Sequence, residues 1–105
     1  MVDYSRLPEH MQGGARRYIE RGISPGHFLT AVLSNDFLGA FKRADDENTE
    51  RMKDWARWLY NECPREAHGS PEAVEEWIAA GGMEGLNAAR EAHEDREQAY
   101  REGRL

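Results

Sequence analysis

Two stretches of this chain pair a helix start with nearby cationic side chains, and they are where chemistry is most expected. Ser24-Pro25 and Gly69-Ser70-Pro71 both read as helix starts. A serine there accepts from first-turn amides, and a proline at the first position gives up no needed donor. The free amides of such a start carry partial positive charge and can hold a phosphate or carboxylate. Gly26 and Gly69 leave room for close approach, and His27 lies in the first turn. Arg16, Arg17 and Arg21 precede the first start, and Arg65 precedes the second. Tyr18, Trp58, Tyr60 and Trp77 offer flat faces that could stack on a base. The candidate site for a small anionic, nucleotide-like ligand is therefore Arg16, Arg17, Tyr18, Arg21, Ser24, Gly26, His27, Trp58, Tyr60, Arg65, Gly69 and Ser70. The plainer reading makes the same residues good caps and core aromatics, since caps far outnumber anion sites.

Other chemistry is easier to reject. Cys63 and His68 flank a proline turn, but a cysteine nucleophile also needs an orienting group, and Cys63 continues an apolar stripe. A buried structural thiol is expected. His10, His27, His68 and His93 have no close ligand spacing, so no metal is expected. Asp45, Asp46 and Glu47 could hold magnesium or move protons, yet capping of a helix explains them more simply. The chain has no Gly-x-Ser-x-Gly elbow, phosphate loop, His-Glu-x-x-His or dinucleotide glycine fingerprint. The expectation is a binding protein without catalysis and without a cofactor.

Helices must position these residues. Met11, Ala15, Tyr18 and Ile19 form one stripe over residues 8–21, stopped by Gly22, while Gly13 and Gly14 suggest a close backbone approach. A second helix from Ser24-Pro25 carries Phe28, Leu29, Val32 and Leu33, and Asn35-Asp36 breaks it before a short third segment with Phe37, Leu38 and Phe41. A continuous bent helix from Pro25 to Ala44 is the alternative. A fourth helix, capped within residues 45–48, buries Met52, Trp55, Ala56, Leu59 and Cys63, with Trp58 and Tyr60 off that stripe. A fifth starts at Ser70 and carries Val74, Trp77 and Ile78 to Gly81-Gly82. From Met83 the chain is polar nearly all round, marked only by Leu86, Ala89, Ala92 and Tyr100, so this helix is expected to project or to mediate self-association. No strand pattern persists. The expected fold is all-α, a compact bundle of five to six short helices over residues 1–82 with a charged helix or tail over 83–105. Its core is expected to contain Met11, Tyr18, Ile19, Phe28, Leu29, Val32, Leu33, Phe37, Phe41, Trp55, Leu59, Trp77 and Ile78.

Composition narrows the partners. With 105 residues and 12.1 kDa the chain suits one domain. Twenty acids against 14 bases give a net charge of -6, which argues against generic nucleic-acid binding. A single cysteine, no apolar run of roughly 20 residues and an N-terminus without a signal-peptide pattern predict a cytoplasmic protein that avoids membranes.

The segments Leu7-Pro8-x-His10-Met11, Tyr18-Ile19-Glu20-x-Gly22-Ile23-x-Pro25-Gly26-x-Phe28-Leu29-x-Ala31-Val32-Leu33-x-Asn35-Asp36, Trp58-Leu59-Tyr60-Asn61-x-x-Pro64 and Gly69-Ser70-Pro71 resemble a family of small phage and prophage accessory proteins. The resemblance spans residues 7–78 and implies a phage setting, with the host cytoplasm as the place of action. By analogy with other phage accessory proteins, two roles follow as expectations. One is a homo-oligomeric sponge that sequesters a nucleotide-derived host immune signal. The other is an acidic protein-protein inhibitor of a host defence protein such as a CRISPR effector, using the acidic surface or the helix from Glu84 to Arg101. A structural or regulatory phage component is a third.

Overall fold

The computed structural model describes residues 1–101 and 103, with Tyr100 described by its backbone alone. Its elements run α1 (Glu9–Arg21), α2 (His27–Leu33), α3 (Phe37–Arg43), α4 (Asp46–Glu50), α5 (Met52–Asn61), one 3-10 turn (Arg65–Ala67), α6 (Pro71–Ala80) and α7 (Gly82–Arg101). The protein is all-α, with no strand among the described residues. Among the described residues seven helices replace the expected five or six because the fourth breaks at Arg51, leaving α4 as a short capped turn before α5. The bent continuous helix is excluded. Asn35 turns left-handed (φ 63°), a conformation asparagine tolerates, and Asp36 restarts the chain by accepting from Gly39 N at 3.0 Å.

Caps explain most boundaries. Asp45 accepts from Asn48 N, and Ser70 Oγ accepts from Ala73 N, each closing a first turn. Ser24, in contrast, caps nothing: α2 begins two residues after Pro25, with Gly26 at its cap position and no side-chain bond. That corrects the first of the two expected serine-proline starts.

Tyr18 ties the body together. Completely buried in α1, it donates its hydroxyl to the Ala67 carbonyl at 2.6 Å, and its own carbonyl accepts from Trp77 Nε1 at 2.9 Å. One residue thereby joins α1 to the 3-10 turn and to α6. Around it lie Ile19, Leu29, Leu33 and Trp55, all nearly inaccessible. Trp55 Nε1 donates to Asn48, the buried amide that holds α4 against α5. From before the first helix, Tyr4 and Leu7 fold inward as well, and Tyr4 packs on Trp58 with ring centroids 6.1 Å apart.

Two core expectations are corrected. Phe37 and Phe41 are 68% and 39% exposed. The inward face of α3 is built instead from Gly39 and Ala40, whose small size lets this seven-residue helix press on α2. The close backbone approach is also elsewhere. Gly13 and Gly14 have only the Arg17 side chain beside them, whereas Gly22 lies against the Gly81-Gly82 turn. A Cβ on Gly22 would sit 2.7 Å from Gly82 N, and both glycines have positive φ.

The last helix leaves the body after its first turn. Its first turn packs on α1 and α6, but Met83, Leu86 and almost every later described residue are exposed. At ~1.5 Å per residue its 20 residues reach about 30 Å, a length equal to half of the 60 Å long dimension. No described helix is long and apolar enough to cross a membrane.

Replacing Gly22 by alanine should combine left-handed strain with a backbone clash and destabilise the fold by about 2 kcal/mol, lowering Tm by roughly 10 °C. Gly26→Ala, with nothing within 4 Å of the added carbon, is the control that should leave Tm nearly unchanged in a thermal melt.

Candidate functional site

The residues of the expected anion site do not converge. Gly69 N donates to Leu33 O at 2.8 Å, so the α6 start sits at the C-terminal end of α2, while Gly26 and His27 lie at its other end. Seven residues of helix, about 10 Å, separate the two starts. At the α6 start one amide is already taken by Ser70, and Glu72 adds negative charge to the first turn. Two aromatic members of the site are also committed elsewhere. Tyr18 is enclosed with its hydroxyl engaged, and Trp58 is 3% exposed, so neither offers a face for stacking. Trp58 was expected off the buried stripe; the N-terminal Tyr4 covers it. Tyr60, by contrast, is 91% exposed.

The arginines remain on the surface. Arg16 lies over the Tyr4 ring at 5.1 Å, a cation-π contact, and Arg17 folds back along α1 over Gly13 and Gly14. Arg21, Ser24 and Arg65 are exposed as well. Arg65 lies in the turn that Tyr18 fastens to α1, so it and the α1 arginines belong to neighbouring elements.

Cys63 is buried, and desolvation pushes its thiol up to about 12. Beside it in sequence, His68 is half-buried, and burial holds its pKa below the usual histidine value. Among the described residues no three histidine, cysteine, aspartate or glutamate side chains are placed to hold a metal ion. The acidic cluster caps. Asp45 closes α4, and its carboxylate also faces His10 Nε2 at 3.0 Å, bridging the beginnings of α1 and α4. Its pKa is lowered first by the Asn48 backbone bond and then by the His10 contact.

The described residues also form concave features. A polar cleft of about 280 Å³ is lined by Asp3, Arg6, Arg57, Trp58, Asn61 and Glu62. Its two carboxylates offset its two guanidinium groups, so it selects no ligand charge. Another is an apolar groove of about 350 Å³ between α2, α3 and α5, with Val32, Ala40, Met52, Trp55, Ala56 and Leu59 among its walls. Phe37 and Phe41 form its lip, stacked edge to face with centroids 4.9 Å apart. Next to them Leu38 is 79% exposed, and Tyr60 lies one helical turn beyond Ala56. Among the described residues, Asp36 and Lys53 are the charged ones lining the groove. Sequence periodicity had assigned Phe37 and Phe41 inward; the signal that would have freed them is Gly39-Ala40, the small face opposite.

The groove offers shape and apolar surface of the kind that suits docking of an apolar side chain. No family model, curated protein or solved structure matches this chain.

Two outcomes test this description. Burial raises the Cys63 thiol and shields it, so at pH 8 native protein should react with iodoacetamide much more slowly than unfolded protein. The folded Asp45 carboxyl titrates below its unfolded value, so its contribution is full above about pH 5 and is lost as pH falls through the folded value. Asp45→Asn, which keeps a capping oxygen, should therefore make Tm fall less steeply than wild type between about pH 5 and 3.

Proposed function

We propose that this protein acts by binding another polypeptide without transforming it, with the apolar groove of α2, α3 and α5 as its docking surface. The observation that carries the reading is the row of exposed Phe37, Leu38 and Phe41 beside a formed concavity. Large apolar side chains left in water next to a groove are costly unless something covers them. In the phage setting implied by the resemblance, the role is inhibition of a host defence protein. The charged arm α7 and the net -6 charge provide the outward surface for that contact.

Sequestration of a nucleotide-derived immune signal is the second reading. Its support is the exposed set Arg16, Arg17 and Arg21 on α1 with Arg65 on the adjoining turn. It loses the paired helix starts and the Tyr18 and Trp58 stacking faces.

Native mass spectrometry of protein recovered from phage-infected, defence-positive cells separates the two. The docking reading expects a stoichiometric added polypeptide mass that is lost with Leu38→Asp and kept with Arg17→Ala. An added mass of a few hundred daltons, lost with Arg17→Ala and kept with Leu38→Asp, would replace it with sequestration.

A further inference from the structure

We infer that the polypeptide filling the groove is a second copy of this chain, in a two-fold dimer that places Leu38 and Phe37 of each protomer in the groove of the other. The inference rests on the docking reading and names the occupant of the groove, which leaves contact with a host defence protein to the outward surface of α7.

Both halves of the contact are present on one surface. Leu38 and Phe37 protrude from the first turn of α3, and the groove opens immediately beside them against α5. A two-fold axis brings each protrusion to the other protomer's concavity, because in such an interface residue i meets j and j meets i. The charges follow the same rule. Among the described residues the groove carries one carboxylate, Asp36, and one ammonium, Lys53. A two-fold pairs Asp36 with the partner's Lys53 twice, leaving no unmatched charge along the groove. An unrelated helix would have to supply an opposite charge at each position.

The area is also of the right order. At roughly 200 Å² per large apolar side chain, the exposed fractions of Phe37, Leu38, Phe41 and Tyr60 amount to about 550 Å² per protomer. A standard interface buries about 800 Å² on each side, so these four side chains supply some two-thirds of it and leave a polar rim. The body's net charge opposes pairing at long range. Near 0.15 M salt that repulsion is screened beyond about 8 Å, while contact burial is unaffected.

Sedimentation equilibrium of the full chain in 0.15 M salt, from 1 to several hundred µM (a span of roughly two decades in concentration), tests the inference. Wild type should sediment as a dimer in the upper part of that range. Leu38→Asp and Phe37→Asp, at exposed positions that leave helical circular dichroism unchanged, should be monomeric throughout. Lys53→Glu sets a carboxylate against the partner's Asp36 and should weaken the dimer at least tenfold, whereas Arg90→Glu on α7 should leave it intact. A monomeric wild type overturns the inference, as does a dimer that survives Leu38→Asp. In either case fluorescence of 8-anilinonaphthalene-1-sulfonate bound to the wild-type protein decides the underlying reading. Dye binding abolished by Phe37→Asp keeps the groove as a docking surface for a different polypeptide. Dye binding indifferent to that change removes the docking reading as well.

Discussion

The architecture depends on how Tyr18 is used at both of its ends. Its hydroxyl and its backbone carbonyl are both buried, and each would be expensive to leave unpaired. Ala67, 49 residues away, accepts from the hydroxyl, and Trp77, 59 residues away, adds a second bond to a carbonyl that already accepts from Gly22 N, so the second half of the chain closes over the first at one residue. The Gly22 and Gly82 contact repeats the closure one turn later, backbone against backbone. Between them these two points fix where α6 ends and in which direction α7 leaves.

Short helices give this body its surface character. A seven-residue helix has two turns with which to bury an apolar face, and α3 spends its inner face on Gly39 and Ala40. Close packing of α3 on α2 therefore puts its largest side chains outside. The groove follows from that choice: α3 approaches α2 tightly and stands away from α5, and the space between keeps Trp55 as part of its lining. Apolar exposure here is a result of how the helix packs, and it is concentrated at one concave place.

Much of this was legible in the residues. Gly22, Asp36, Asp45, Ser70 and Gly81 mark boundaries because a cap requires a particular side chain or a particular φ, which the amino-acid type carries by itself. The stripe from Ala15 to Ile19 and the pair Phe28 and Leu29 were readable because their helices have one buried side. The candidate site was less legible. Ser24-Pro25 has the composition of a helix start, but Thr30 Oγ1 donates to the Pro25 carbonyl and the helix begins beyond it. Trp58 and Tyr18 could be recognised as aromatic but not as enclosed, because Tyr4, Leu7 and Ala67 reach them from segments without periodicity. Phe37 and Phe41 were misplaced because apolar spacing identifies a stripe without saying whether the opposite, small face is the one that packs.

Trp55 gives the groove a built-in optical reporter. Trp55 lines the groove while almost wholly buried, its ring edge-on to Phe28 at 5.4 Å and to Trp58 at 5.9 Å. Rings held rigidly at such distances share excitation, so the near-ultraviolet spectrum of the protein carries a signature of this cluster. An occupant of the groove packs against the residue that carries one of the coupled chromophores and alters its surroundings. The same close packing that lets a small helix expose its phenylalanines thus makes occupancy of the groove readable in the near-ultraviolet spectrum, with no label attached.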